Sequence, residues 1–104
     1  MPRPLSSKVR IYAAMVDHIH EYEDELEAEA AFNWRDAIKV ALDAGAILDG
    51  ETMDLLAQAD DRLMARREAL VRRFPNLFHP ERKAEIPKAY WWWYLDEGPR
   101  VRAA

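Results

Sequence analysis

The chain has 104 residues, half of them hydrophobic and 33% charged, with three glycines, no cysteine and a formal net charge of −4. That length makes one domain, able to bury about two-thirds of its unfolded surface, and the composition excludes a disordered chain. Without cysteine, disulfide scaffolds, thiolate-held zinc, iron–sulfur clusters and a cysteine nucleophile are all excluded. No apolar run approaches the roughly 20 residues of a bilayer-spanning helix. No charged–apolar–small pattern opens the chain, so a cytoplasmic protein without membrane association is expected.

Alanine, leucine, glutamate and arginine dominate, and all favour helix. From Leu5 the apolar residues fall at Leu5, Val9, Tyr12, Val16, Ile19, Tyr22, Leu26 and Ala30, mostly three or four apart. This stripe predicts a first helix from a cap at Ser6 or Ser7 to near Ala30. Its outer face is acidic, with Glu21, Glu23, Asp24, Glu25, Glu27 and Glu29. Asn33 then suits an N-cap, with Asp36 favourable to the helix dipole. A second helix is predicted from Trp34 to near Ala44, stopped by Gly45, with Trp34, Ala37, Ile38, Ala41 and Leu42 facing inward. No proline or glycine separates these two helices, so a single helix running through Asn33 is the rival reading.

Asp49 reads as the cap of a third helix, with Leu48 positioned to staple onto Met53. That helix is predicted to run to Phe74 and stop before Pro75. Leu56, Leu63 and Leu70 are spaced by seven, and Ala59 and Phe74 share their side, which makes a bundle seam. Arg62, Arg66, Arg67, Arg72 and Arg73 make the rest of this helix basic. Pro75 to Pro87 reads as a loop with one helical turn after Pro80. A last short helix fits Pro87 to Glu97, ended by Gly98-Pro99. The predicted fold is all-α: a small antiparallel three-helix bundle over residues 6–74, with a short C-terminal aromatic helix or tail in a proline-rich segment, 75–104.

Charge is unevenly laid out. Residues 1–61 balance to −9 and residues 62–104 to +5. The acidic and basic segments are expected to pack side by side, within the bundle or across a dimer. An acidic chain repels phosphates, so nucleic acid is disfavoured as a partner. A helix-turn-helix reader would have to present the arginine-rich third helix while its acidic second helix faced the backbone.

The run Tyr90-Trp91-Trp92-Trp93-Tyr94-Leu95 has large apolar side chains on every side. Each ring carries on the order of 150–250 Å², more than one small bundle is expected to cover on all sides. Tryptophan and tyrosine dominate interface hot spots. Tyr90, Trp91, Trp92, Trp93 and Tyr94 are therefore the expected partner-binding residues. The other reading folds this segment back as a lid on the bundle.

Asp17, His20 or Glu21, and Asp24 fall one turn apart and invite a metal reading. The Glu-x-x-His pair of carboxylate-bridged metal bundles is absent, so a solvated polar face is the expectation. Ser6, Ser7 and Thr52, the aliphatic hydroxyls, all sit at predicted helix starts where capping explains them. A sharper pattern is Glu23-Asp24-x-x-Glu27 followed by Glu51-x-x-Asp54. It resembles the magnesium-binding signature of the MazG-type all-α nucleoside triphosphate pyrophosphohydrolases, with Asp24 where that signature usually has glutamate. The resemblance implies a dimeric enzyme in which Glu23, Asp24, Glu27, Glu51 and Asp54 hold Mg²⁺ between substrate phosphates and activate water. Hard oxygen ligands suit that ion. The preferred expectation is instead a non-catalytic helical interaction protein, with no catalytic residue and no cofactor. It would be a homo-oligomer or an accessory or regulatory subunit docking on a protein partner through the aromatic segment.

Overall fold

The computed structural model describes residues 4–98, and among them every regular element is helical. Helix α1 spans Leu5–His18. The Pro4 carbonyl accepts from the Ser7 and Lys8 amides at 3.0 and 3.3 Å. The helix therefore starts two or three residues ahead of the expected cap, and Ser6 and Ser7 lie inside its first turn rather than at its boundary.

The predicted continuation to Ala30 does not occur. After α1 come a 3₁₀ turn at Ile19–Glu21, an extended Tyr22, and α2 at Glu25–Asp43. The cause is local: the Asp24 carboxylate accepts from the Leu26 amide at 2.8 Å. This satisfies a helix N-terminus there and competes with straight continuation. The break lets two apolar stripes fold onto each other, Val9, Tyr12, Val16 and Ile19 from α1 and its turn, and Ala28, Ala31, Phe32 and Ile38 from α2. Helix α2 then passes without interruption through Asn33, which faces solvent and caps nothing. The break predicted at Asn33 is thus displaced to residues 19–24. Of the face predicted to turn inward, Ile38 is fully buried, while Trp34, Ala37, Ala41 and Leu42 are partly so.

Helix α2 closes with Gly45 at φ +100°. The Gly45 amide bonds to the Leu42 carbonyl and the Ala46 amide to the Ala41 carbonyl, both at 3.0 Å. This is the paired hydrogen-bond pattern of a Schellman C-terminus. Helix α3, Gly50–Ala65, begins where expected, with the Asp49 carboxylate accepting from the Thr52 amide at 2.8 Å. The predicted single helix to Phe74 is in fact two. The Arg66 amide is shared between the Arg62 and Leu63 carbonyls, both at 3.1 Å, and α4, Arg67–Arg73, departs from there. The seam survives this kink: Leu56, Ala59, Leu63, Leu70 and Phe74 are all buried.

Prolines punctuate the rest as expected, with a 3₁₀ turn at Pro75–Phe78 and one short helix, α5, at Pro80–Lys83. The predicted last helix from Pro87 is shorter than expected. Pro87–Tyr90 is a turn, and Trp91–Glu97 is 3₁₀ with a break in its backbone at Tyr94. Helix α1 packs against both α2 and α3, and the 91–97 segment packs against α4.

Candidate functional site

The structure finds room for most of the aromatic run. Trp92, Trp93, Tyr94 and Leu95 are buried within the chain, and only Tyr90 and Trp91 remain partly accessible. The sequence-based assumption that one small domain could not cover these rings is corrected, and the reason is geometric. The segment is a 3₁₀ stretch interrupted at Tyr94 rather than a regular α-helix, and its four successive side chains from Trp92 to Leu95 are all buried. The indole N–H groups of Trp92 and Trp93 both donate to Asp36 Oδ1, at 2.8 and 2.9 Å. Phe32 stands edge-on to Trp93, with ring centroids 5.1 Å apart. The Tyr94 hydroxyl donates to the Lys83 carbonyl at 3.0 Å and also to the Ile86 carbonyl.

Beside these rings lies a buried charged pair. Arg35 donates from Nε to Asp60 Oδ1 at 2.9 Å and from Nη2 to Oδ2 at 3.0 Å. The Tyr12 hydroxyl donates to the same Oδ1 at 2.7 Å. The Trp92 ring covers the guanidinium at 4.5 Å. Desolvation, and then the neighbouring Asp60 charge, push the Tyr12 hydroxyl well above the ordinary phenol range. Desolvation also raises Asp36, against the lowering effect of the two indole hydrogen bonds and of Arg35.

The residues that invite a metal reading, though not expected to hold one, are engaged in other contacts. Asp17 pairs with Arg62 at 3.1 Å, His20 accepts from Arg66 at 2.8 Å, and Glu21 meets His18 at 3.0 Å. That His18 hydrogen bond holds the Glu21 carboxyl below its usual range. Of the five acids in the pyrophosphohydrolase-like pattern, Asp24 caps α2 while Glu23 and Glu27 are exposed beside it. Glu51 and Asp54 line a polar hollow on α3 with Arg10 and Asp49. Among the described residues no three His, Asp or Glu side chains come together so as to hold a metal ion. The two halves of that pattern sit on different helices and do not converge.

The acidic and basic segments do meet within the chain. Besides Arg62 with Asp17, Arg82 pairs with Glu25 at 3.3 Å and with Glu29, and Arg73 donates to the Tyr22 carbonyl at 2.6 Å.

An open apolar feature lies at the other end of α2. A groove of about 400 Å³ is walled by Leu42, Ala46, Ile47, Leu48, Met53, Leu56 and Ala57, and Asp60 also borders it. Ile47 is 92% exposed and Met53 57%. Met53, Leu56, Ala57 and Asp60 occupy one face of α3 by their spacing of three and four. The Schellman turn at Gly45 brings residues 46–48 across to form the opposite wall. Sequence reasoning missed this groove because it considered only the pairing of Leu48 with Met53 and not the surface they share with Leu42, Ile47 and Ala57; Leu48 is buried and Met53 is exposed. It also missed Arg35 and Asp60. Their signal was available: each occupies a position inside an apolar stripe, Arg35 between Phe32 and Ile38, Asp60 between Leu56 and Leu63.

Comparison with known protein families, curated proteins and solved structures finds no match. Among the described residues no helix is long and apolar enough to cross a membrane.

Proposed function

We propose that the chain is a small, non-catalytic interaction module of the cytoplasm. In this reading α1, α2 and α3 form an antiparallel three-helix bundle closed by the aromatic segment, and the module docks a second copy or a larger protein partner. The supporting observation is the open apolar groove, with Ile47 and Met53 left in water at its mouth. Contiguous exposed apolar surface rimmed by polar residues is the usual mark of a binding face. The aromatic segment's own share in docking narrows to Tyr90 and Trp91.

The test is association measured beside folding. Ile47→Glu and Met53→Glu alter exposed side chains, so circular dichroism and thermal melting should be unchanged. Molar mass by light scattering, for the chain alone and for the tagged chain recovered from cells, should fall to that of the bare monomer. Association that survives both substitutions sinks the reading.

A further inference from the structure

Helix α2 is apolar on two opposite sides. Its inner side buries Ala28, Ala31, Phe32 and Ile38 around Arg35. Leu26, Ala30, Asn33, Ala37, Val40 and Ala44 follow one another at alternating steps of four and three. That spacing keeps them in one row along the helix, on the side opposite the core. Leu26 is 66% exposed and Val40 57%, Asn33 and Ala44 are open to water, and Ala30 and Ala37 are partly so. No charged side chain interrupts the row. A surface helix carries polar residues on its outer side, whereas one apolar on both sides is covered on both. The row also alternates in size, with Leu26, Asn33 and Val40 at one heptad position and alanine at the other.

We infer that two copies of the chain pair through this row, with their α2 helices antiparallel about a two-fold axis near position 35. The inference rests on the interaction-module reading and names its partner as a second copy. Reversing the row onto itself sets Leu26 against Ala44, Ala30 against Val40 and Asn33 against Ala37, so every larger side chain meets an alanine. A parallel pair would set Leu26 against Leu26 and alanine against alanine, crowding some layers and leaving gaps in others. On one flank, Glu27, Trp34 and Ala41 stand seven apart, so Trp34 meets its own copy at the axis and Glu27 comes opposite Ala41. On the other flank stand Glu29, Asp36 and Asp43. A two-fold contact apposes the same patch on both chains, which penalises like charges. Here each acid on that flank is already answered, Glu29 by Arg82, Asp43 by Lys39 at 3.1 Å and Asp36 by the Trp92 and Trp93 indoles. The Glu29–Arg82 pair therefore faces the Asp43–Lys39 pair of the second copy, and neither brings an unanswered charge. Over its 19 residues α2 offers a strip about 28 Å long and about 10 Å wide, near half of the roughly 600 Å² per partner of the smallest stable interfaces. Ile47, exposed three residues past Ala44, extends the contact beside the start of the other α2. The expected assembly is thus a weak, reversible dimer.

Sedimentation equilibrium over about 10 μM to 1 mM protein should show a species of twice the monomer mass. Leu26→Lys and Ala44→Glu change exposed side chains, so circular dichroism should be unchanged in both. Each alone should weaken self-association about tenfold, because each spoils both Leu26–Ala44 layers of the pair. Mixed one to one, the two variants should recover it, since one layer then joins lysine to glutamate while the other is native. A chain that stays monomeric, single variants that still pair fully, or a mixture that does not recover overturns the inference. If that monomer still captures a partner through Ile47, or if Ile47→Glu dissociates a dimer that Leu26→Lys leaves intact, the α2 pairing falls and the interaction reading stands. If Leu26→Lys dissociates a dimer that survives both Ile47→Glu and Met53→Glu, the α2 pairing stands and the groove reading falls.

Discussion

Arg35 and Asp60 face each other from α2 and α3 and join in two parallel contacts, Nε to Oδ1 at 2.9 Å and Nη2 to Oδ2 at 3.0 Å. Both side chains are almost fully withdrawn from water. Tyr12 of α1 donates into the pair and Trp92 of the C-terminal segment stacks over it. Four separate stretches of chain thus converge on one charged contact. Charges removed from water are tolerated when paired in this forked geometry, and a buried pair of this kind is better understood as fixing how the elements align than as adding net stability.

The pair should be costly to break and cheap to replace. Asp60→Ala strands the Arg35 charge in the core and should lower stability by about 3–5 kcal/mol. Tyr12→Phe removes one hydrogen bond to a charged group and should cost about 1.5–3 kcal/mol. The double substitution Arg35→Met with Asp60→Leu should recover most of the loss seen in Asp60→Ala. Urea midpoints for the four proteins check this ordering. A double variant as unstable as Asp60→Ala would contradict it.

Alkaline pH should weaken the fold through Tyr12. Its hydroxyl is raised well above the ordinary phenol value by burial and by Asp60. The folded state therefore keeps its proton where the unfolded chain, with a phenol near the usual value of about 10, gives it up. This contribution is fully present below the unfolded value and is lost as pH rises above it. Unfolding midpoints measured from pH 8 to pH 11 should fall, and Tyr12→Phe should flatten the decline. Asp36 has the same sign in the acid range. Its raised carboxyl favours the protonated folded state, so its contribution is greatest below the ordinary aspartate value and is lost as pH rises toward its folded value. Asp36→Asn should remove that slope.

The tryptophans should separate by burial. Trp92 is fully enclosed and bonded to Asp36, so Trp92→Ala should cost about 3–5 kcal/mol. Trp91 keeps part of its ring accessible, so Trp91→Ala should have a clearly smaller effect on the thermal midpoint. Equal losses at the two positions would mean that the segment does not pack as described.

The helical class, the Asp49 start of α3, the proline punctuation and the Leu56–Leu63–Leu70 seam were legible in the sequence, because spacing and capping chemistry are local. The reversal at residues 19–24 was not. It carries no glycine or proline, and its one signal, the Asp24 cap, was hidden inside an acidic run that reads as helix surface. The aromatic burial was hidden for a different reason. Ring area can be summed from a sequence, but a backbone break at Tyr94 and a shared acceptor at Asp36 exist only once α2 lies beside the C-terminal segment. The candidate site shows the same division. Its α3 wall follows a readable helical spacing, while its opposite wall depends on how the chain leaves Gly45.

That last dependence can be tested with two glycines. Gly45 has φ +100°, and a methyl group built on it meets nothing within 4 Å. Gly50, at the start of α3, has an equally open surrounding without the left-handed backbone. Gly45→Ala therefore adds backbone strain without a clash and should cost about 1–2 kcal/mol. Gly50→Ala should be neutral or should stabilise by up to about 1 kcal/mol, since alanine restricts the unfolded chain and favours helix. Thermal melts of the two variants separate the backbone effect from side-chain space. Because the Gly45 turn sets residues 46–48 across from α3, Gly45→Ala should also shift the amide resonances of Ile47 and Leu48 and the methyl resonance of Met53. Gly50→Ala should leave the Ile47 and Leu48 resonances near their original positions. A Gly45→Ala protein with unchanged stability and unchanged resonances along the groove would show that its outer wall does not depend on the Schellman turn.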